Sequence, residues 1–127
     1  PYNVPIEGHA RGLGKDHHPD FSMASGEMSS AEFTEFLTSS LGSLAAASCD
    51  GSLHYVCMDW RHIGELLSAG NAVYSSQINL CIWNKSAGGM GSLYRSKHDL
   101  VFVFKYGSKP HINNIELGKH GRYRTNV

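Results

Sequence analysis

Charge is scarce and balanced in this chain. Lys and Arg number 11, Asp and Glu 11, and charged residues make up 17% of the 127, for a net charge of zero. A protein that coats nucleic acid through many phosphate contacts is thereby excluded, because such affinity needs an excess of cations. Local basic patches are not excluded: no Lys or Arg falls between Glu27 and Asp50, whereas Lys85, Arg95, Lys97, Lys105, Lys109, Lys119, Arg122 and Arg124 collect late. That asymmetry fits a solvated surface and a phosphate-facing one equally well. Apolar runs are short. None approaches the roughly 20 residues of a membrane span, and the N-terminus lacks the charged and apolar regions of a signal peptide, so a cytoplasmic protein is expected. Cysteine is limited to Cys49, Cys57 and Cys81, an odd number, widely spaced, with the latter two inside apolar stretches. Reduced, buried thiols are expected, with neither a disulfide framework nor a zinc site. His17-His18 has no third ligand at zinc spacing, so no metal is expected. A Gly-x-Ser-x-Gly elbow is missing, and no Cys/His nucleophile arrangement stands out, which leaves hydrolase readings weak.

What is present is the composition of one folded domain: 41% hydrophobic residues in a chain long enough to bury a core. Residues 1–28 hold three of the four Pro, several Gly and three His with no apolar periodicity; they predict a long loop, mobile without a partner over 7–28. Ser29 with Glu32 three residues on is a capping-box signature. Phe33, Phe36, Leu37, Leu41, Leu44 and Ala45 then repeat at helical spacing, predicting a helix over 30–48. Asp50-Gly51 predicts a turn, and the apolar run 53–58 a strand. A short amphipathic helix is expected over 61–69, with Ile63, Leu66 and Leu67 on one face and Gly70 as its stop. Two further strands, 77–84 and 100–106, are nearly continuously apolar, as in strands covered on both faces, and are joined by a loop through Gly88, Gly89 and Gly91. Beyond Gly107 no regular element is predicted.

The residues with chemical potential sit at the ends of these elements. Asp59, Trp60 and Arg61, followed by His62, come after a strand's C-terminal end, where open α/β sheets bind ligands; Asp59 also suits a plain helix cap. Asn84, Lys85, Tyr94, Arg95 and His98 flank the glycine loop. That loop is no phosphate loop, since a Gly-Lys-Ser/Thr ending is missing. His98-Asp99 also suits a structural hydrogen-bonded pair. Pro1-Tyr2-Asn3, opening the first loop, is by itself an ordinary turn.

Taken in order, Pro1-Tyr-Asn-Val-Pro-Ile6, Met58-Asp-Trp-Arg-His62, Ile82-Trp-Asn-Lys85, Gly89-Met-Gly-Ser-Leu-Tyr-Arg-Ser-Lys-His98, Phe102-Val-Phe-Lys105 and Gly121-Arg-Tyr-Arg-Thr-Asn-Val127 resemble the N-4/N-6 amino-group DNA methyltransferases. The resemblance spans most of the chain and implies an α/β fold: the later half of a Rossmann-like, S-adenosylmethionine-dependent methyltransferase, with a mixed sheet ending in an antiparallel hairpin. It further implies methylation of the exocyclic amino group of adenine, less often cytosine, in double-stranded DNA, as in restriction-modification systems. Pro1 and Tyr2 match the last two residues of the family's Asp-Pro-Pro-Tyr catalytic motif. Its Asp and first Pro are not in these 127 residues, and neither is the Phe-x-Gly-x-Gly cofactor loop. Together with a start at Pro and an unterminated end, this predicts a piece of a longer enzyme, inactive alone.

An exocyclic amino nitrogen is a poor nucleophile, because its lone pair is delocalised into the ring. Acceptors for its two N–H groups, a carboxylate and a backbone carbonyl in the family, favour the rehybridised geometry. The base must first leave the duplex stack, and an aromatic ring is its usual platform; by the resemblance that ring is Tyr2. Asn3, Asp59, Trp60, Arg61, Asn84, Lys85, Tyr94, Arg95 and His98 are the expected substrate-side residues. A non-catalytic DNA-binding or interaction module of the same fold is the competing expectation, and an α/β domain with no nucleic-acid role the third. Oligomeric state, a homodimer included, is open.

Overall fold

A computed structural model describes residues 2–5, 19–89 and 93–127. The expected mobility of the first loop falls largely on 6–18, and Pro1 and Gly91 are also outside the described residues. The order of elements is α1 (Ser30–Ala46), β1 (Leu53–Met58), a 3-10 turn (Trp60–His62), α2 (Ile63–Val73), β2 (Ser76–Asn84) and β3 (His98–Lys105). No helix among the described residues is long and apolar enough to cross a membrane.

Helix α1 starts where the sequence signals it. The Ser29 hydroxyl accepts the Glu32 amide while the Glu32 carboxylate accepts the Ser29 amide at 2.8 Å, so two N–H groups that the first turn cannot pair internally are satisfied. Phe33, Leu37, Leu41 and Ala45, one turn apart, are buried. Thr34, Thr38 and Ser43 hold their hydroxyls against carbonyls four residues back, which lets a helix rich in hydroxyls form without stranding polar groups.

The sheet is small and its order is β1-β3-β2. Met58 faces Leu100 on one side of β3, and Ile82 faces Leu100 on the other. β1 and β2 therefore run the same way, joined through α2, with β3 inserted antiparallel between them. The expected hairpin of the last two strands is present, but the mixed sheet is not. Every strand pair among the described residues is antiparallel, because β3 occupies the position at which β1 and β2 would have met as a parallel pair.

Alternate residues of β3 make one face of the sheet the core. Leu100, Phe102 and Phe104 are buried with Met58, Leu66, Ala69, Tyr74 and the apolar stripe of α1. Tyr74 stacks on Phe104 with ring centres 5.0 Å apart. The Tyr74 hydroxyl, His54 and Ser48 form a chain, 2.8 Å and 3.0 Å per link, that ties the end of α1 to β1 and to the end of α2. Gly70 is not the stop of α2 but a buried residue within it: a Cβ there would lie 2.6 Å from two ring atoms of Phe104. The helix runs on to Val73 because close packing, not chain termination, is what requires glycine at this point.

The opposite face is only partly covered. β2 is exposed over its first half, so the expectation of strands covered on both faces fails for it. Cys57 and Cys49 are exposed and Cys81 is half-buried, contrary to the buried thiols expected; Cys57 and Cys81 flank Val101 by register, on the face away from the core. Residues 111–117 lie over this face above a cavity of about 450 Å³ lined by Leu53, Tyr55, Cys81 and Val103. The chain then returns along the outer edge of β2, where the Ile82 amide donates to the Asn126 carbonyl at 2.7 Å and the Asn126 side chain donates to Leu80. After Lys105 there is no helix or strand, as the composition predicts.

Candidate functional site

The two strands that run the same way end on the same edge of the sheet, and there β3 begins. Asp59, Trp60 and Arg61 follow the end of β1, Asn84 and Lys85 the end of β2, and His98 and Asp99 open β3. Asn84 faces His98 and Trp83 faces Asp99. The sheet thus brings residues from three separate stretches of the sequence onto one edge.

Tyr2 stands at the same edge. It is 36% exposed, and burial raises its phenol pKa, with further upward contributions from Cys57, Asp99 and Asp59; the carbonyl of the next residue reaches His62, at the end of the turn that follows β1. Asn3, the next residue, is 6% exposed and has a φ of 51°, a left-handed conformation that Asn tolerates better than most residues. Its side chain accepts the amides of Gly26 and Met28 and donates to the Met28 carbonyl at 2.8 Å. The Asn3 side-chain amide is therefore committed to clamping the loop at 26–28, and not to a ligand. The Asn3 backbone carbonyl lies 3.2 Å from His62 Nε2.

Asp59 performs its capping role, accepting the Arg61 amide at 3.0 Å and pairing with the Arg61 guanidinium at 3.2 Å. That guanidinium lies 5.3 Å from the centre of the Trp60 ring, which leaves Trp60 58% exposed beside a cation that stacks on it. Lys85 pairs with Asp99 at 2.7 Å; Asp99 is engaged by Lys85 rather than by His98. Arg95 donates to the Gly88 carbonyl at 2.7 Å and closes the base of the glycine loop, while Tyr94 is 84% exposed. Several cations of this edge and of the late basic cluster are thus held locally, Arg61 by Asp59, Lys85 by Asp99 and Arg122 by Glu116. Of the eight late cations, Lys85 and Arg122 have carboxylate partners within 4.0 Å among the described residues.

His62 and Glu65 lie directly behind the edge, and Glu65 had no distinguishing signal in the sequence beyond a polar residue in a helix. His62 meets the edge of the Phe33 ring at 5.0 Å, and its Nδ1 is 3.3 Å from Glu65 Oε1. That spacing is within ion-pair reach but off hydrogen-bond geometry, so Nδ1 is buried without a hydrogen-bond partner among the described residues. Ser30 donates to the same Glu65 oxygen at 2.8 Å. Burial pushes the Glu65 carboxyl up, but its own backbone amide, the Ser30 hydroxyl and His62 together hold it below the ordinary range.

Glu27, Glu32 and Asp50 are also held below their ordinary range, by hydrogen bonds from backbone amides at Glu27 and Asp50 and chiefly from the Ser29 hydroxyl at Glu32. A carboxyl with a folded pKa below its unfolded one stabilises the fold above the unfolded value and ceases to as pH falls through the folded one. The melting temperature should therefore hold from neutral pH down to the ordinary carboxylate range of about 4 and decline below it. Thermal melts followed by circular dichroism between pH 7 and pH 2.5 check this, and a decline starting above pH 6 would contradict it.

Several glycines are used in packing: Gly70 meets Phe104, Gly51 meets Pro110, Gly107 meets Asp50, and Gly88 meets Arg95. No group of three or more His, Cys, Asp or Glu among the described residues is placed to hold a metal. No family model, curated protein or solved structure matches the chain.

Proposed function

We propose that this chain is the catalytic-loop half of a DNA methyltransferase that modifies an exocyclic amino group, adenine in preference to cytosine, and that Tyr2 is the ring on which the flipped base stacks. The observation that carries the reading is the gathering of Tyr2, Asp59–Arg61, Asn84, Lys85 and His98 along one edge, at the C-terminal ends of β1 and β2. Those positions come from separate motifs of the resemblance, and ligands of open α/β sheets bind at this end. The antiparallel β2–β3 hairpin, with β3 beside β1, suits the later part of a Rossmann-like sheet, whose remaining strands would pair with the free edge of β1.

Within the chain, the residues divide by what they already hold. Tyr2, Trp60 and Tyr94 offer exposed aromatic faces for bases, each worth about 1–3 kcal/mol when stacked. Arg61, Lys85 and Arg95 are pinned by local partners and fix the edge; Lys85, on the rim, retains room to touch a phosphate, which would set register rather than sequence. In the family resembled, the acceptors for the amino protons and the cofactor seat come from the Asp-Pro of the catalytic motif and the Phe-x-Gly-x-Gly loop, neither of which occurs in these 127 residues. A DNA-binding or interaction module without chemistry is the second reading, favoured by the absence from these 127 residues of the family's Phe-x-Gly-x-Gly loop. Plasmid DNA lacking amino-methylated bases, incubated with the protein extended through its flanking gene sequence and S-adenosylmethionine, should yield N6-methyladenine on nucleoside analysis. DNA binding without any methylated nucleoside would favour the second reading.

A further inference from the structure

We propose that His62, steadied by Glu65, is a positioning residue that fixes the Tyr2 ring over the target base. The inference rests on the methyltransferase reading for its functional half and on geometry alone for its structural half. Tyr2 has no regular element to hold it; the residue after it, Asn3, adopts a left-handed turn that costs a non-glycine residue free energy and persists only where the surroundings impose it. Two groups impose it. The Asn3 side chain is clamped to Gly26 and Met28, and the Asn3 carbonyl, which follows the Tyr2–Asn3 peptide, lies 3.2 Å from His62 Nε2. A carbonyl only accepts, so Nε2 is the donor.

His62 is itself held from two further sides. Its ring edge-packs on Phe33, its Nδ1 faces Glu65 at 3.3 Å, and the side chains of His62 and Glu65 are only 18% and 14% exposed. Glu65 is in turn held by Ser30 at the first turn of α1. Contacts therefore run from the first turn of α1 through Glu65 to His62, the Glu65–His62 step being an ion-pair approach and not a hydrogen bond, and on to the backbone beside Tyr2. None of these residues needs to touch a ligand. Supporting contacts of this kind matter because a misplacement of about 1 Å at a reacting group costs on the order of a hundredfold in rate.

The test uses the full-length protein with 3-fluorotyrosine at position 2, read by fluorine NMR, together with methylation kinetics and thermal melts. His62→Ala should shift the fluorine signal toward that of an exposed tyrosine and lower kcat by about tenfold or more, with DNA affinity within about threefold of the parent, the pattern of an interaction needed in the transition state and not in binding. His62→Gln, which keeps a donor for the Asn3 carbonyl, should restore most of both, and Glu65→Gln should give an intermediate loss. An unchanged fluorine signal in His62→Ala overturns the proposal, as does equal loss in the Ala and Gln variants. If His62→Ala fails to fold, Gln and Glu65→Gln decide: a parent-like signal and rate in Glu65→Gln would count against this run of contacts. If the parent protein methylates no DNA, the functional half falls with the methyltransferase reading, and the fluorine signal still decides whether His62 holds Tyr2.

Discussion

On the methyltransferase reading, the 127-residue chain by itself should leave DNA unmethylated, and in a protein that also carries the family's Asp-Pro and Phe-x-Gly-x-Gly segments Tyr2→Ala should cut turnover by about 5- to 150-fold, the rate equivalent of the roughly 1–3 kcal/mol that a base stacked on an aromatic ring contributes. The first outcome rests on the methyltransferase reading, since the Asp-Pro half of that family's catalytic motif and its Phe-x-Gly-x-Gly loop do not occur in these 127 residues. The second follows from Tyr2 being partly exposed, next to Asn3, whose carbonyl lies 3.2 Å from His62 in the turn after β1. Tyr2→Phe should retain most of the activity, because stacking uses the ring face and leaves the hydroxyl without a part in holding the base. Initial rates on an oligonucleotide substrate separate the cases. Equal loss in Ala and Phe would move the role from the ring to the hydroxyl, and full activity in Tyr2→Ala would remove Tyr2 from the mechanism.

How much of this was legible in the sequence depends on whether the determinant is local. The capping box at Ser29 and Glu32 is a contact between residues three apart, and the stripe from Phe33 to Ala45 is a periodicity, so α1 was readable almost to its last turn. The strands were readable as elements because β-branched and aromatic residues cluster in them, but their order was not: insertion of β3 between β1 and β2 is a long-range pairing that no local pattern encodes. Cys57 illustrates the resulting error. In an apolar run it reads as buried, yet alternation sends it to the face opposite Met58, and that face is exposed at this position. Spaced motifs placed the edge residues correctly as neighbours of strand ends. It was not legible that the Asn3 side chain is already used by Gly26 and Met28, or that His62 and Glu65 support the turn from behind, since those contacts join residues 25 and 59 positions apart.

Glycine supplies the sharpest contrast between what a residue type suggests and what its surroundings demand, and the same substitution at two helical glycines should move stability in opposite directions. In α1, a Cβ added at Gly42 would meet nothing within 4 Å outside its own helix. Gly42→Ala therefore removes only the entropic penalty of glycine in a helix and should stabilise by about 0.5–1 kcal/mol. In α2, a Cβ at Gly70 would lie 2.6 Å from Cε1 and Cζ of Phe104. That ring cannot retreat freely, because it is 1% exposed and stacked against both Tyr74 and Phe102. Gly70→Ala should thus destabilise by about 1–3 kcal/mol, the range for overpacking a filled core, despite alanine's better helix propensity; Gly70→Val should leave little folded protein. Urea unfolding of the chain and its variants measures both signs. The clash also predicts non-additivity: Phe104→Leu, which costs stability alone, should recover part of the loss when combined with Gly70→Ala, because the two sites share one contact. Strictly additive losses would mean that α2 shifts as a body to admit the methyl group, and that the approach of helix to sheet at Gly70 is not what fixes α2 against β3.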